Sequence, residues 1–350
     1  MSEVVLVTGA AGFLGFHVSR KLLSLGHRVI GVDNMVGGSL SNVNELHRLH
    51  QFTFGFVRAD VTNYASMKTL FSKAKPTRVF HAACYPHEGL SINSPTLVAA
   101  NSVGLGSMVL ASLASQTQHK VKRFVNCSSM ARYGSQDTVP FTEDMVPLPK
   151  DPYGWFKYAS EGAMSVLFET HGVEFVNLVP HNIYGPHQKY DDPFRNVASI
   201  MINRVLQGKQ PIIYGDGKQK RCFSYVDDLI PAIVNALFDD APIGMTINLG
   251  PSEPFIEINE LAKLICNLAG MDCKPVYVED RPGEVKHANC SSERAQRILG
   301  VKFETPLSEG LTKLYDWIKE QGPKKFNYHL PLEIVNNTTP KTWTEKAMDV

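Results

Sequence analysis

Tyr153 and Lys157 form a pair that could carry out acid–base chemistry. They stand four residues apart, so on a helix both side chains lie on one face. An ammonium beside a phenol stabilises the phenolate and lowers its pKa from about 10 toward neutrality. The phenolate can then take a proton from an alcohol as a hydride leaves the same carbon. The pair therefore indicates alcohol oxidation or its reverse, which requires a hydride acceptor.

A serine pair that precedes this segment strengthens the interpretation. Residues 121–129, VKRFVNCSS, predict a strand that ends on Ser128 and Ser129. Ligands of parallel sheets bind outside the carboxyl ends of the strands, so these serines are placed for chemistry. Taken alone, the serines are as well explained by a turn, and the Y-x-x-x-K spacing is common. Together they predict Ser129, Tyr153 and Lys157 as the catalytic set, at the start of a helix that runs to residue 171.

A glycine-rich turn near the N-terminus predicts the binding site of the hydride acceptor. Residues 4–15, VVLVTGAAGFLG, indicate a buried strand followed by Gly9, Gly12 and Gly15, after which apolar residues recur at helical spacing. Gly9 allows a sharp turn, Gly12 lets a diphosphate approach the backbone, and Gly15 lets the helix lie close on the strand. Diphosphates bind at such helix N-termini because free N–H groups point at them.

Asp33 selects the type of dinucleotide. It follows a second predicted strand, residues 28–32, about 20 residues after the turn, where an acid holds the ribose hydroxyls. A carboxylate there would repel a 2′-phosphate, and no arginine follows closely. The sequence therefore predicts NAD; the alternative is an ordinary strand–helix–strand unit with a surface aspartate.

The order of elements predicts an α/β fold with a doubly wound parallel (Rossmann) sheet. A third strand is expected over residues 52–60 and a fourth over residues 77–83. Asp60 faces the adenine or caps the next helix, and the small Ala82 and Ala83 let a cofactor lie against the backbone. We expect residues 1–178 to form the NAD-binding domain, with the chain returning to it around 223–250. Residues 179–320 form a smaller mixed α/β lobe, and residues 321–350 a packed arm or a loose tail.

Composition limits the partners. The net charge of +1 and the lack of basic runs argue against nucleic acid. The six cysteines form no C-x-x-C pair and the histidines show no metal spacing, which predicts reduced thiols and no metal site. Together with a strand at the very start of the sequence, this predicts a cytoplasmic protein. The longest apolar stretch, residues 97–114, is too short and too polar for a membrane span. The predicted helix at 95–116 is apolar nearly all round, which indicates a homodimer.

The motifs together resemble the extended short-chain dehydrogenase/reductase family, and within it the nucleotide-sugar epimerases and dehydratases. The resemblance extends from about residue 4 to about residue 318. Besides the turn, the serine pair and the Tyr–Lys pair, it rests on HAA at 81–83, NIYGP at 182–186, IYGDG at 213–217, R-x-F-S-Y-V-D-D from 221 and RPGE at 281–284.

The resemblance implies two sets of binding residues. Arg221 and Arg281, each in turn-like sequence, also suit a diphosphate, because the forked guanidinium group matches phosphate oxygens. The alternative is that each arginine forms a surface ion pair. Asn101 supports the cofactor site or is a buried packing amide. The implied cofactor residues are Gly9, Gly12, Phe13, Leu14, Gly15, Asp33, Asn34, Asp60, Val61, Ala82, Ala83, Asn101, Ser128, Tyr153, Lys157 and Pro180. The implied substrate residues are Ser129, Asn182, Asn196, Val197, Ile213, Tyr214, Arg221 and Arg281.

Two departures from the family pattern narrow the reaction. Met130 and Ala131 stand where the 4,6-dehydratases carry an Asp-Glu pair and the glucuronate decarboxylases a Glu, and neither can transfer a proton. Elimination and decarboxylation are therefore disfavoured. Family members often place small or apolar residues close to the sugar where this chain has His87 and Glu88. These two residues contact the substrate or belong to a solvated loop.

The combined prediction is an NAD-dependent nucleotide-sugar 4-epimerase that works through a transient 4-keto sugar. A UDP-sugar is the default substrate, because UDP is common in the family. The runner-up is a nucleotide-sugar 4-dehydrogenase or ketosugar reductase that exchanges its cofactor. A non-catalytic NAD-binding protein is a third possibility, but such a protein has no need of the phenol of Tyr153.

Overall fold

Strands and helices alternate along the chain, and the structure, a computed structural model, describes residues 2–349. The strands are β1 Val4–Thr8, β2 Arg28–Asp33, β3 Phe54–Arg58, β4 Arg78–His81, β5 Arg123–Cys127, β6 Glu174–Pro180, β7 Ile183–Tyr184, β8 Ile212–Tyr214, β9 Lys220–Arg221, β10 Ser224–Tyr225, β11 Thr246–Leu249, β12 Ile256–Glu257, β13 Val276–Val278 and β14 His287–Ala288. The helices are α1 Phe13–Ser24, α2 Leu40–Leu49, α3 Tyr64–Ala74, α4 Glu88–Ser91, α5 Pro95–Ser115, α6 Pro152–His171, α7 Val197–Leu206, α8 Val226–Phe238, α9 Ile258–Leu268, α10 Glu293–Leu299, α11 Leu307–Gln321 and α12 Lys341–Thr344.

Seven strands form one parallel sheet in the order β11-β6-β5-β4-β1-β2-β3. The order reverses between β1 and β4, and such a switch point opens a crevice at the carboxyl ends of the strands. Helices cover both faces: α1, α2 and α8 lie on one, and α3, α5 and α6 on the other. The predicted doubly wound α/β fold is confirmed.

The central strand β1 shows why these sequences form such a sheet. Val5 and Val7 enter the core under α1 and α8, whereas Leu6 between them enters the core under α3 and α5. Because helices bury both faces, a parallel strand is apolar along its whole length and does not alternate with polar residues.

The region after β3 corrects one expectation about Asp60. Strand β3 ends at Arg58, earlier than predicted, and Asp60 lies in the following loop. The cap of α3 is Asn63, whose side chain accepts a hydrogen bond from the backbone N–H of Ser66 at 3.0 Å. The capping role considered for Asp60 is therefore wrong.

Helix α2 was not predicted from the sequence, because only three of its ten residues are buried, and one of these is polar.

A second lobe lies beyond β6 and packs α7, α9 and α11 around a separate apolar core. Within the same part of the chain, α8 and β11 return to the large sheet, where β11 pairs with β6. Residues 323–349 form a packed arm, with Phe326, Leu330 and Trp343 buried. Asn93, just before α5, donates to the backbone oxygen of Ile334 at 2.8 Å. The arm therefore joins the second lobe to the N-terminal end of α5.

Helix α5 is long and apolar enough to cross a membrane by length and composition alone, with a mean hydropathy of 1.7. Half of that stretch is buried inside the protein, where the helix packs between α3 and α6. A core helix meets the same criteria. One stripe of α5, formed by Ala99, Val103, Gly106 and Leu110, stays exposed.

Candidate active site

A single cleft runs along the carboxyl ends of the sheet strands and continues into the second lobe. Its cavity volume is about 470 Å³, within the range of small-molecule sites. Every residue of the predicted cofactor and substrate sets lines this cleft except Lys157, which lies behind its wall. Two distant halves of the sequence therefore meet at one site.

The glycine turn forms the floor of one end. Gly9 has a φ of +69°, and a Cβ on Gly15 would lie 2.1 Å from the carbonyl oxygen of Gly9. The start of α1 thus rests directly on the turn, as predicted. Gly12 is the N-cap of α1, and within the described residues no side chain caps that end. Its free N–H groups, together with Phe13 and Leu14, face the cleft and fit a diphosphate.

Asp33 lies beside this turn with its carboxylate held by the backbone. The N–H groups of Ala11 and Met35 donate to its two oxygens at 3.1 and 2.8 Å. Burial raises the pKa of Asp33, although these N–H groups oppose the shift. Asn34 donates to Asp60 at 3.0 Å, which ties the loops after β2 and β3 together. The pair suits the adenosine end of a dinucleotide, which is the remaining role considered for Asp60.

The other side of the floor is tied to β1 by a threonine. The Thr8 hydroxyl accepts hydrogen bonds from the backbone N–H groups of Ala82 and Ala83, both at 3.1 Å, and contacts His81 Nδ1 at 2.9 Å. A Cβ on Gly9 would lie 3.1 Å from the backbone nitrogen of Ala83. Small residues are therefore required at this crossing of two loops.

Asn101 fixes the loop that follows β4. Its side chain accepts from the backbone N–H of Tyr85 at 2.7 Å and donates to the carbonyl of the same residue at 3.2 Å. These two hydrogen bonds explain why an amide side chain occurs in an apolar helix. Asn101 also reaches the cleft, so it positions the loop and is more than a packing amide.

The catalytic candidates meet at the middle of the cleft. Asp151 caps α6 by accepting from the N–H of Gly154 at 2.9 Å, and this places Tyr153 in the first turn. The phenol is only 3% exposed, and the Ser129 side chain is close enough to lower its pKa. The ammonium of Lys157 donates to the carbonyl of Cys127 at 2.6 Å and lies 5.6 Å from the centre of the Tyr153 ring.

The charge state of Tyr153 differs from the sequence-based expectation. Burial raises its pKa well above the ordinary value, nearby Cys84 and Glu88 add to the rise, and the Ser129 side chain opposes it. The expected lowering by Lys157 is wrong for the protein alone. The reason is geometric, because the ammonium is held at the Cys127 carbonyl and not at the phenol oxygen.

Ser128, the other member of the serine pair, belongs to a buried network. Its hydroxyl donates to a carboxylate oxygen of Glu161, and the other oxygen of Glu161 lies 3.0 Å from Arg132 Nε. Burial raises the pKa of Glu161, while Arg132 and Ser128 oppose the rise. Ser128 also lines the cleft, where its role toward the cofactor stays a prediction.

Two arginines and one carboxylate form a clamp at the far end of the cleft. Glu284 accepts from Arg221 at 2.8 Å through one oxygen and from Arg281 at 2.6 Å through the other. Burial alone would raise the pKa of Glu284, but the two guanidinium groups hold it below its usual value. The Nε atom of Arg281 is buried with no hydrogen-bond partner among residues 2–349. Two positive charges and one negative charge leave a net positive site.

Residues of the second lobe shape the space around this clamp. The Arg281 guanidinium lies over the ring of Tyr214, at 4.6 Å from its centre, and the Tyr214 hydroxyl contacts Thr342 in the arm at 2.5 Å. Asn196 caps α7 by accepting from the N–H of Ala198 at 3.1 Å. Asn182 donates to the carbonyl of Cys222 at 2.8 Å. Pro180, Val197 and Ile213 complete the wall.

A family model described as the NAD dependent epimerase/dehydratase family matches residues 5–250, more than half of the chain. The chain belongs to this family. The glycine turn, the uncapped end of α1 and the carboxylate of Asp33 are what NAD requires, and the family is NAD dependent. The predicted cofactor and enzyme class are thereby confirmed.

Relatives in the epimerase/dehydratase family extend over nearly the whole chain. UDP-glucose 4-epimerase from Mycolicibacterium smegmatis is 30% identical over 320 residues, covering 91% of this chain and 99% of the relative. The crystal structure of UDP-glucose 4-epimerase from Thermotoga maritima with UDP-glucose has a TM-score of 0.83 and 30% identity, covering 91% and 99%. UDP-glucuronic acid 4-epimerase from Bacillus cereus, in complex with UDP-glucuronic acid and NAD, has a TM-score of 0.82 and 28% identity, covering 91% and 100%.

Three acidic residues at the cleft were not predicted from the sequence or were left with two alternative roles. Glu284 belongs to the RPGE motif, and its position between two arginines follows only from the fold. Asp151 is not among the predicted site residues, although an Asp before a Pro is a signal for a helix cap. Glu88 is exposed and lines the cleft, where its contact with a substrate stays a prediction.

Proposed function

We propose that this protein is an NAD-dependent nucleotide-sugar 4-epimerase that acts on a UDP-sugar through a transient 4-keto sugar. The observation that carries the proposal is the arrangement of one continuous cleft. The Ser129–Tyr153 pair lies between the dinucleotide turn at one end and the arginine clamp at the other. A sugar whose diphosphate occupies the clamp has its reacting carbon at the phenol.

The chemistry divides between the cofactor and the protein. NAD⁺ supplies, when bound, the hydride acceptor, the later hydride donor and a positive charge that favours the phenolate. Tyr153 takes the proton of the 4-hydroxyl and later returns it to the 4-keto oxygen. Ser129 donates a hydrogen bond to the reacting oxygen, and Lys157 holds the wall behind the phenol through Cys127. The sugar turns over in the cleft between the two proton transfers.

The residues that follow Ser129 favour epimerisation over elimination. Met130 and Ala131 are both buried at the cleft wall, and neither side chain carries a proton that could be transferred. A 4-keto sugar held there by Tyr153 therefore reacts further by return of the hydride and not by elimination.

The experiment that tests the proposal follows the hydride. Protein as purified is mixed with a UDP-sugar that carries deuterium at C4, without added cofactor, and the product is examined by mass spectrometry and NMR. We expect deuterium to remain at an inverted C4 through many turnovers. Turnover that stops after one equivalent, or that continues only when NAD is added, would contradict this and favour the 4-dehydrogenase.

A further inference from the structure

The loop between β4 and α4 is anchored so that one carboxylate projects into the cleft. His87 and Leu90 on either side of Glu88 are buried. His87 Nε2 lies 3.0 Å from Asp192 Oδ2, which fixes the loop to the second lobe. Glu88, the first residue of α4, is exposed and lines the cavity together with Pro86, His87 and Gly89. Its position is therefore set by buried neighbours on both sides.

The short helix α4 lies between the catalytic tyrosine and the arginine clamp. The Ser91 hydroxyl contacts the carbonyl of Glu88 at 2.6 Å and accepts from the backbone N–H of Tyr153 at 3.3 Å. On the other side, a Cβ on Gly89 would lie 3.7 Å from Arg281 Nη1. Glu88 thus stands where the sugar must lie if Tyr153 reacts with C4 and the arginines hold the diphosphate.

We propose that Glu88 selects the sugar of the substrate: its carboxyl group hydrogen-bonds the hydroxyls of a neutral sugar and excludes sugars that carry a carboxylate. This inference rests on the proposed function. A neutral hexose offers hydroxyl donors to the carboxylate, whereas a uronate brings a second negative charge into the same small volume. Because the keto sugar turns over during the reaction, its C6 substituent passes along both faces of the cleft, so Glu88 can act on it in either orientation.

The surroundings of Glu88 make this selection depend on pH. Although the Glu88 side chain opens into the cleft, the surrounding walls desolvate it and raise its pKa to about 7, and the nearby carboxylates of Asp151 and Glu284 add to the rise. Arg221 and Arg281 act in the opposite direction. Glu88 is therefore mainly neutral below pH 7 and mainly charged above it, while a uronate stays charged throughout. Discrimination against uronates is expected to strengthen as the pH rises through 7.

The test measures binding and not turnover. Calorimetry of the protein as purified gives Kd values for UDP, UDP-glucose and UDP-glucuronate at about pH 6 and about pH 8.5, one to two units on either side of the group's pKa. The variants are Glu88→Gln, which keeps the shape and removes the charge, and Glu320→Gln. Glu320 is exposed on α11, outside the residues that the structure describes as lining the cleft, and serves as the matched control.

We expect wild type and Glu320→Gln to bind UDP-glucose about tenfold or more tightly than UDP-glucuronate at the higher pH, with a smaller ratio at the lower pH. Glu88→Gln should lose most of this ratio at both pH values by gaining affinity for UDP-glucuronate, with the Kd of UDP unchanged. An unaltered ratio in Glu88→Gln, or a wild-type preference for UDP-glucuronate, overturns the inference. If UDP still binds in that case, the proposed nucleotide-sugar site is not contradicted. If wild type does not bind UDP, the proposed substrate falls and the inference falls with it.

Discussion

At the scale of single residues, the site combines a buried phenol with a charged clamp. Tyr153 is nearly inaccessible, and burial raises its pKa well above the ordinary value, so the phenol is protonated in the protein alone. The clamp works in the opposite way, because Glu284 keeps two guanidinium groups close together that would otherwise repel each other.

Replacement of Tyr153 tests its proposed role as the general base. Tyr153→Phe should lower turnover by about 10²- to 10⁴-fold, the usual contribution of a general acid–base group, and leave NAD content unchanged. Tyr158→Phe, a half-buried tyrosine further along α6, is the matched control and should retain its rate. Rates are measured with UDP-glucose and NAD content by absorbance. A Tyr153→Phe enzyme with more than about a tenth of the wild-type rate would remove Tyr153 from the role of base.

Removal of one arginine of the clamp should weaken the binding of the nucleotide sugar and leave the binding of NAD unchanged. Arg281→Ala deletes a charge-assisted contact worth about 1.5–3 kcal/mol, so the Kd of UDP should rise roughly tenfold or more. The affinity for NAD should not change, because the clamp lies at the other end of the cleft. Arg294→Ala is the control, since that arginine pairs with Asp144 at 2.8 Å. Equal UDP affinity in Arg281→Ala and wild type, measured by calorimetry, would argue against a diphosphate at the clamp.

At the scale of elements, the cofactor end depends on the contact between a helix and a turn. Helix α1 starts on the Gly9 carbonyl, and Thr8 holds the end of β4 beside the same turn. These contacts bring three segments together within one small region. The diphosphate site is therefore a property of how α1 meets β1 and β4, and not of the glycines taken singly.

Gly15→Ala should disturb this contact strongly. The added Cβ would lie 2.1 Å from a backbone oxygen, so α1 or the turn must move. We expect a clear fall in melting temperature, by several degrees, as for overpacked cores that lose about 1–3 kcal/mol, and loss of bound NAD. Gly37→Ala, also on the cleft wall, has no described atom within 4 Å of the new Cβ and should melt near wild type. If both variants keep wild-type stability and NAD content, the close contact is not required.

At the scale of the whole molecule, an exposed apolar surface lies on α5 and α6. Val103 and Leu110 on α5 are 54% and 53% exposed, and Trp155 and Val166 on α6 are 54% and 65% exposed. On each helix these residues recur at helical spacing. A contiguous surface of this kind is typical of an interface between protein chains. It supports the proposed homodimer, in which both helices pair with their copies about a two-fold axis.

A charge at the centre of this surface should separate the subunits. We expect light scattering to give twice the chain mass for wild type at micromolar concentration and the single mass for Leu110→Glu. Phe52→Glu is the control, because Phe52 is 92% exposed in the turn before β3, outside both helices, and its replacement should leave the dimer intact. A wild-type protein with the mass of one chain would contradict the homodimer.

Much of this protein could be predicted from the order of residues alone. The strand–turn–helix at the N-terminus, Asp33, the Tyr153–Lys157 pair and the two arginine motifs each depend on local spacing, so the doubly wound fold, the NAD site and the family followed from the sequence. The lengths of β3 and β4 and the existence of α2 did not, because their boundaries depend on packing against neighbours and not on local pattern.

Only the tertiary structure decided how these local pieces act on one another. Lys157 was expected to lower the pKa of Tyr153, but the fold directs its ammonium to the Cys127 carbonyl and buries the phenol, so burial outweighs charge. Glu284 meets Arg221 across 63 residues of sequence, and the helix that carries Glu88 is joined to Tyr153 through Ser91 across 62 residues. Desolvation and distance between remote side chains set their charge states, and neither quantity can be read from spacing along a chain.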